Sequence, residues 1–182
     1  MLVNQQCFCG SGKRFLACCQ PFIAQSAQPN TAEQLMRSRF SAYAIGNSQY
    51  IYDTYANSSQ AAQSVSEIEQ WGKACIWLAL EIHETHGNTS DNDTSAEQFV
   101  EFSAYYISDN TLCELRENSR FILEPARVED HNQLLQWRYI DGEISQHCEL
   151  STVKRKDLCP CNYYPTAWSA KKGKKFKQCC GQ

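Results

Sequence analysis

The sequence predicts an α+β protein: three N-terminal helices packed on one face of a curved antiparallel sheet, with a small metal-binding module at each end. Three observations predict it. Apolar residues recur at helical spacing between Thr31 and Lys73. From Cys75 onward the hydrophobic period changes to two. Eight of the 11 cysteines fall into two sets of four, one near each terminus. The corresponding domains are residues 1–20, 30–150 and 157–182.

The helices come first in the chain. Thr31 stands three residues before Gln34, which is a capping-box spacing. Leu35, Met36, Phe40, Tyr43 and Ala44 then share a side, and Gly46-Asn47 supplies a stop. A second short helix is predicted from about Ser48 to Tyr55. A third is predicted from about Ser64 to Lys73, with Val65, Ile68 and Trp71 on one side. Residues 21–30 are rich in Pro, Gln and Ser and read as a linker.

The strands follow. Ile76, Leu78, Leu80 and Ile82 alternate with Trp77, Ala79, Glu81 and His83. Gly87 to Ser95 is a polar loop. Glu97 to Tyr106 is a second strand, with Val100, Phe102, Ala104 and Tyr106 facing one way. Ser108-Asp109-Asn110 signals a hairpin turn. Thr111 to Leu123 is a third strand, and about Leu134 to Ile140 a fourth, ended by Asp141-Gly142. A strongly curved sheet of this kind makes a cone with a cavity.

The bulk composition is that of a soluble globular chain, with 182 residues, 42% hydrophobic and 20% charged. No apolar run approaches the roughly 20 residues that cross a bilayer. The first residues carry neither a basic segment nor an apolar stretch, so a cytoplasmic location is expected. Thiols stay reduced there, and clustered cysteines read as metal ligands before disulfides. Charge is distributed unevenly. Residues 153–182 hold eight Lys and Arg against Asp157 alone, while the net charge of the chain is −3. This tail either offsets thiolate charge or contacts an acidic protein, RNA or an anionic surface, with Lys171 to Lys177 at its centre.

The first quartet is Cys7, Cys9, Cys18 and Cys19; the second is Cys159, Cys161, Cys179 and Cys180. Eight residues separate the pairs in the first copy and 17 in the second, an insertion of nine. Lengthening a loop adds little closure entropy, so both quartets are expected to hold an ion. Four thiolates form a closed tetrahedral sphere for Zn2+, with no open position for water. Two structural zinc ions are therefore expected. Such a centre keeps a net charge of about −2, which Lys13 and Lys174 offset. Gly10 and Gly12 permit tight turns beside the sulfurs, and Phe15 and Phe176 each supply a small apolar body. Cys75, Cys113 and Cys148 read as isolated buried or strand thiols.

The run Cys7-Phe-Cys9-Gly10-Ser11-Gly12-Lys13-Arg14-Phe15-Leu16-Ala17-Cys18-Cys19 resembles the SEC-C motif, the zinc-binding tail of the translocation ATPase SecA. Two such motifs flanking Glu33-Gln34-Leu35-Met36-Arg37-Ser38-Arg39-Phe40-Ser41-Ala42-Tyr43 resemble the bacterial YchJ family. The likeness continues through Val100-Glu101-Phe102, Glu117-Asn118-Ser119-Arg120-Phe121 and Trp137-Arg138-Tyr139-Ile140-Asp141-Gly142. It implies a central cystatin-like cone of the nuclear-transport-factor-2 (NTF2) type. It also implies a SecB-like export chaperone or the ribosome as partner class. The chain departs from the family pattern in having Arg116 where that pattern has His, and in its insertion.

Strand parity places Trp77, Glu81 and His83 on one face and groups Glu101 with Tyr105, Glu117 with Ser119, and Trp137 with Tyr139. Glu101, Glu117, Tyr139 and Asp141 are the residues that a cavity enzyme, such as an isomerase or dehydratase, would use as general acid and base. The other reading of these residues is structural: Glu117 paired with Arg37 or Arg120, and the aromatics as core. Three functions result: a zinc-binding adaptor, a small-molecule site in the cone, and RNA binding through Tyr163, Tyr164, Trp168 and Phe176.

Overall fold

The computed structural model describes residues 4–87, 96–125, 134–169 and 173–182. Its elements run α1 (Gln20–Ile23), α2 (Ala32–Ile45), α3 (Ser48–Asp53), α4 (Asn57–Gln60) and α5 (Val65–Ala74). The strands β1 (Ile76–Gly87), β2 (Glu97–Ser108), β3 (Thr111–Pro125) and β4 (Leu135–Thr152) follow. The strands form one antiparallel meander in the order β1-β2-β3-β4. Among the described residues there are thus five α-helices rather than three. The two extra ones are single turns, α1 at the start of the predicted linker and α4 after α3. Beyond Gly87, the predicted polar loop lies outside the described residues up to Ser95.

Local signals explain the element ends. The Thr31 hydroxyl accepts from the Gln34 amide at 3.1 Å, and Gln34 Oε1 accepts from the Asn30 amide at 2.7 Å. The capping box therefore closes one residue early. Gly46 ends α2 in the left-handed region, at φ 75°. Asp109 and Asn110, both at positive φ, make the two-residue turn between β2 and β3.

Helix α2 lays Leu35, Met36 and Phe40 on the sheet. The opposite face of β1 and β2 is also covered at one end, since the C-terminal cysteine module seals Leu78, Ala79, Tyr105 and Ile107. Buried residues therefore run continuously there instead of alternating.

Three irregularities overturn the simple parity reading. Register shifts between Trp77 and Ala79, between Arg120 and Phe121 opposite Ile140, and between Arg116 and Glu117 opposite Ser145 each insert one residue. A bulge flips the faces of everything beyond it. Trp77 consequently turns toward the helices, stacking on Tyr43 at 5.0 Å, and shares no face with Glu81 and His83. Tyr139 faces the helices as well, whereas Asp141, two residues on, faces outward. Nor does Asp141-Gly142 end β4, which continues ten residues to Thr152 and carries His147 inward.

Candidate metal centres and the cavity

Each cysteine module is a minute β-hairpin followed by a 3-10 turn. In the first, the Cys7 amide donates to the Lys13 carbonyl at 2.8 Å and the Phe15 amide to Gln5 at 2.9 Å. In the second, Cys159 donates to Lys174 at 3.0 Å and Phe176 to Asp157 at 2.9 Å. Bridges Gln6–Arg14 and Leu158–Lys175 correspond in the same way. The two modules therefore share one hydrogen-bond scheme, with the insertion looped out between Cys161 and Gly173. Gly12 and Gly173 occupy the same turn at φ 74° and 75°, where a side chain would be strained.

The scheme gathers the sulfurs. Within each quartet all four lie within 4.8 Å of one another. Close pairs are Cys9–Cys18 at 3.7 Å, Cys18–Cys19 at 3.9 Å, Cys161–Cys179 at 3.5 Å and Cys179–Cys180 at 3.7 Å. A disulfide needs about 2.05 Å. A tetrahedron with metal–sulfur bonds of about 2.3 Å has edges of about 3.8 Å, which these spacings match. Every cysteine is a free thiol.

The crowded sulfurs perturb one another strongly. Hydrogen bonds from Cys19 and Cys7 hold the Cys9 thiol far below its ordinary range. Those from Cys161 and Cys180 do the same for Cys159. Contact with Cys18, then with Cys7 and Cys9, pushes Cys19 strongly upward, and contact with Cys159 and Cys161 does so for Cys180. Sulfurs this close share protons because they cannot all be anionic, and a divalent ion would take the place of those protons. A serine hydroxyl supports the corresponding sulfur in each site: Ser11 lies 3.3 Å from Cys18, and Ser169, within the insertion, 3.2 Å from Cys179.

The insertion also ties the modules together. Trp168 packs 4.8 Å from Phe8 and donates its indole N–H to the Trp77 carbonyl at 2.9 Å. Tyr164 stacks on Tyr105 at 4.1 Å. Thr166 lies over Gly10, where a Cβ would come within 2.5 Å of its carbonyl oxygen. The first module is anchored to α2, whose Arg37 donates to the Cys9 carbonyl at 2.9 Å and pairs with Glu33 at 2.7 Å.

The basic tail gathers on the second module. The Lys177 amide donates to the Arg155 carbonyl at 3.1 Å, which sets Lys154, Arg155 and Lys156 beside Lys174, Lys175 and Lys177. All six are exposed, and none forms an ion pair among the described residues. Lys171 and Lys172 lie outside the described residues. Of the four aromatics proposed to stack on RNA bases, Tyr164 and Trp168 are half-buried against Tyr105 and Phe8, and Phe176 is buried. Tyr163 alone, 66% exposed, is open.

Between α2, α5 and the sheet lies a cavity of about 430 Å3. Of the four residues named for acid–base work, two line it and two do not. Glu117 accepts from Ser119 Oγ at 2.5 Å and from the Tyr139 hydroxyl at 3.0 Å, both through Oε1. Burial, then the Glu117 charge, pushes the Tyr139 phenol far above its usual range, so it serves as a donor. Glu101 instead stands on the outer face, paired with Arg116 at 2.8 Å. Asp141 is paired there with Arg120 at 2.7 Å, which holds its carboxyl below the ordinary value. Neither reaches the cavity, because the sheet lies between. Arg37 and Arg120 are thus both engaged elsewhere, and Glu117 makes no ion pair among the described residues.

Two further residues line the cavity, Arg39 from α2 and His147 from β4. Arg39 is buried between the rings of Tyr55 at 4.5 Å and Tyr139 at 4.6 Å, and donates to the Ile51 carbonyl and the Thr54 hydroxyl. His147 meets the Tyr106 hydroxyl at 2.6 Å, on the part of β4 that runs beyond Asp141-Gly142. On the outer face His83 is exposed, with its ring 2.8 Å from the Ser103 hydroxyl.

Fold and sites together define an NTF2-like helix-and-sheet domain carrying terminal cysteine-quartet modules. The family model described as the YchJ middle NTF2-like domain matches residues 31–142, and the SEC-C motif model matches residues 4–21. The chain belongs to this YchJ (UPF0225) family. It is 36% identical to the UPF0225 protein Ent638_2310 of Enterobacter sp. (strain 638), covering 99% of this chain and all of that one. It is 34% identical to the UPF0225 protein plu2503 of Photorhabdus laumondii, covering 98% and 100%. Among solved structures it is similar to a SEC-C motif-containing protein from Psychrobacter arcticus, with TM-score 0.66, 26% identity and 99% and 97% of the two chains covered. A SEC-C motif-containing protein from Rhodopseudomonas palustris superposes with TM-score 0.64 at 25% identity, covering 77% and 98%. No helix among the described residues is long and apolar enough to cross a membrane.

Proposed function

We propose that the protein is a cytoplasmic zinc-binding adaptor that recognises an acidic macromolecule through its second cysteine module. The observation that carries the zinc assignment is the sulfur spacing, which fits the edges of a tetrahedral thiolate site about one zinc ion across. Each ion would hold a hairpin too small to fold by apolar burial alone. The carrying observation for the partner is the convergence on one such hairpin of six exposed basic side chains that form no ion pair among the described residues. Likeness of the modules to the SecA tail makes a SecB-like chaperone or the ribosome the partner class. RNA binding by base stacking is disfavoured, since three of the four rings it needs are engaged in packing.

Co-sedimentation with purified ribosomes and titration with purified SecB test this reading. Binding by the zinc-loaded protein to at least one of them, lost on chelation and in the K174E/K175E/K177E variant, is the expected result. Binding indifferent to both changes, or absent to both partners, would overturn it. A second reading, a small-molecule site in the cavity, is favoured by the carboxylate of Glu117 on an aromatic wall, with no cation paired to it among the described residues.

A further inference from the structure

We infer that the cavity is a site for an organic cation, a primary amine carried on an apolar or aromatic body, whose ammonium group meets Glu117. The inference rests on reading the cavity as a ligand site. Both hydrogen bonds to Glu117 land on Oε1, and no hydrogen bond or ion pair reaches Oε2 among the described residues. Two donors on one oxygen fix the carboxylate in position. They leave its other oxygen to accept from something in the cavity.

The rest of the wall selects the sign of that guest. Tyr43, Trp71, Trp77 and Phe102 line the space with Tyr139. Trp71 meets both Tyr43 and Trp77 edge-on, at 5.1 and 5.0 Å. Aromatic faces attract a cation within about 6 Å, and a half-buried carboxylate gains most from an ammonium N–H. An anionic guest would meet Glu117 directly, and a neutral apolar guest would strip water from it without replacing the hydrogen bonds.

Among the described residues Arg39 is the one Arg or Lys on the wall, and it is committed elsewhere, while the His147 ring meets the Tyr106 hydroxyl. Arg39 stacks over the Tyr139 ring and donates into the end of α3, while Glu117 is reached by the Tyr139 hydroxyl. Tyr139 thus stands between the two charges, which form no ion pair. Gly142 makes room for Glu117, since a Cβ there would lie 2.0 Å from Oε1. The volume of about 430 Å3 suits a guest of modest size.

Three probes with one ring and different heads test the inference: benzylammonium, benzyl alcohol and benzoate. Each is titrated into the zinc-loaded protein while the indole N–H resonances of Trp71 and Trp77 are followed. Benzylammonium is expected to shift both saturably, at least tenfold more tightly than benzyl alcohol, with benzoate inert. E117Q, nearly isosteric with the native residue, is expected to bind benzylammonium at least tenfold more weakly. Equal or tighter binding of benzyl alcohol or benzoate would leave a ligand cavity but overturn the cation. Failure of all three probes would overturn both. Unchanged benzylammonium binding by E117Q would remove Glu117 from the site and the inference with it.

Discussion

Trp168, from the insertion of the second cysteine module, packs 4.8 Å from Phe8 of the first. The two cysteine modules therefore share an apolar contact, and the indole N–H fastens the pair to the sheet at Trp77. Residues that lengthen one motif beyond the other are what hold the two side by side.

Trp168→Ala should loosen both modules. The ring is half-buried, so the loss should be about 2 kcal/mol, below the 3–5 of a fully buried aromatic. Urea unfolding measures it. Metal release to a chelator should quicken at both quartets; acceleration at the second alone would mean that the modules are uncoupled.

Gly142→Ala forces Glu117 off its two hydrogen bonds, because the added methyl group takes the place of Oε1. The carboxylate is at the end of a flexible side chain and can swing aside. The cost is then that of the lost bonds, about 1–3 kcal/mol. Thermal unfolding should record the loss, and benzylammonium binding should disappear while the zinc content stays unchanged.

Alkaline pH should destabilise the domain from within. Burial pushes the Tyr43 and Tyr50 phenols up to about 12, and Tyr139 higher. A phenol whose pKa is raised on folding holds its proton more tightly in the folded state. Its contribution is therefore intact below the unfolded value of about 10 and is lost as pH rises through the folded value. Phenolate absorbance should lag behind that of free tyrosine and be completed only on unfolding. Ionisation of all nine tyrosines near pH 10 with native circular dichroism would contradict this.

Much of this was legible in the sequence, for physical reasons. Caps at Thr31 and Gly46, the period change at Cys75 and the Asp109-Asn110 turn are local signals, and the fold obeys them. Ligand sets recur as sequence because a tetrahedral site needs four donors at restricted spacing. The face assignments were not legible beyond the bulges, which have no signature in a period-two pattern. Tyr139 and Asp141 have the same parity yet lie on opposite faces for that reason. Arg39 was hidden differently: a buried arginine held by two rings and an α3 carbonyl depends on residues distant in the chain. The packing of Trp168 on Phe8 likewise joins residues from opposite ends of the chain.

Metal analysis of the protein purified under reducing conditions tests the central claim most directly. The account predicts two zinc ions per chain, falling to one in Cys9→Ser and one in Cys159→Ser. Fully reduced native protein that retains its fold with no bound transition metal would contradict it.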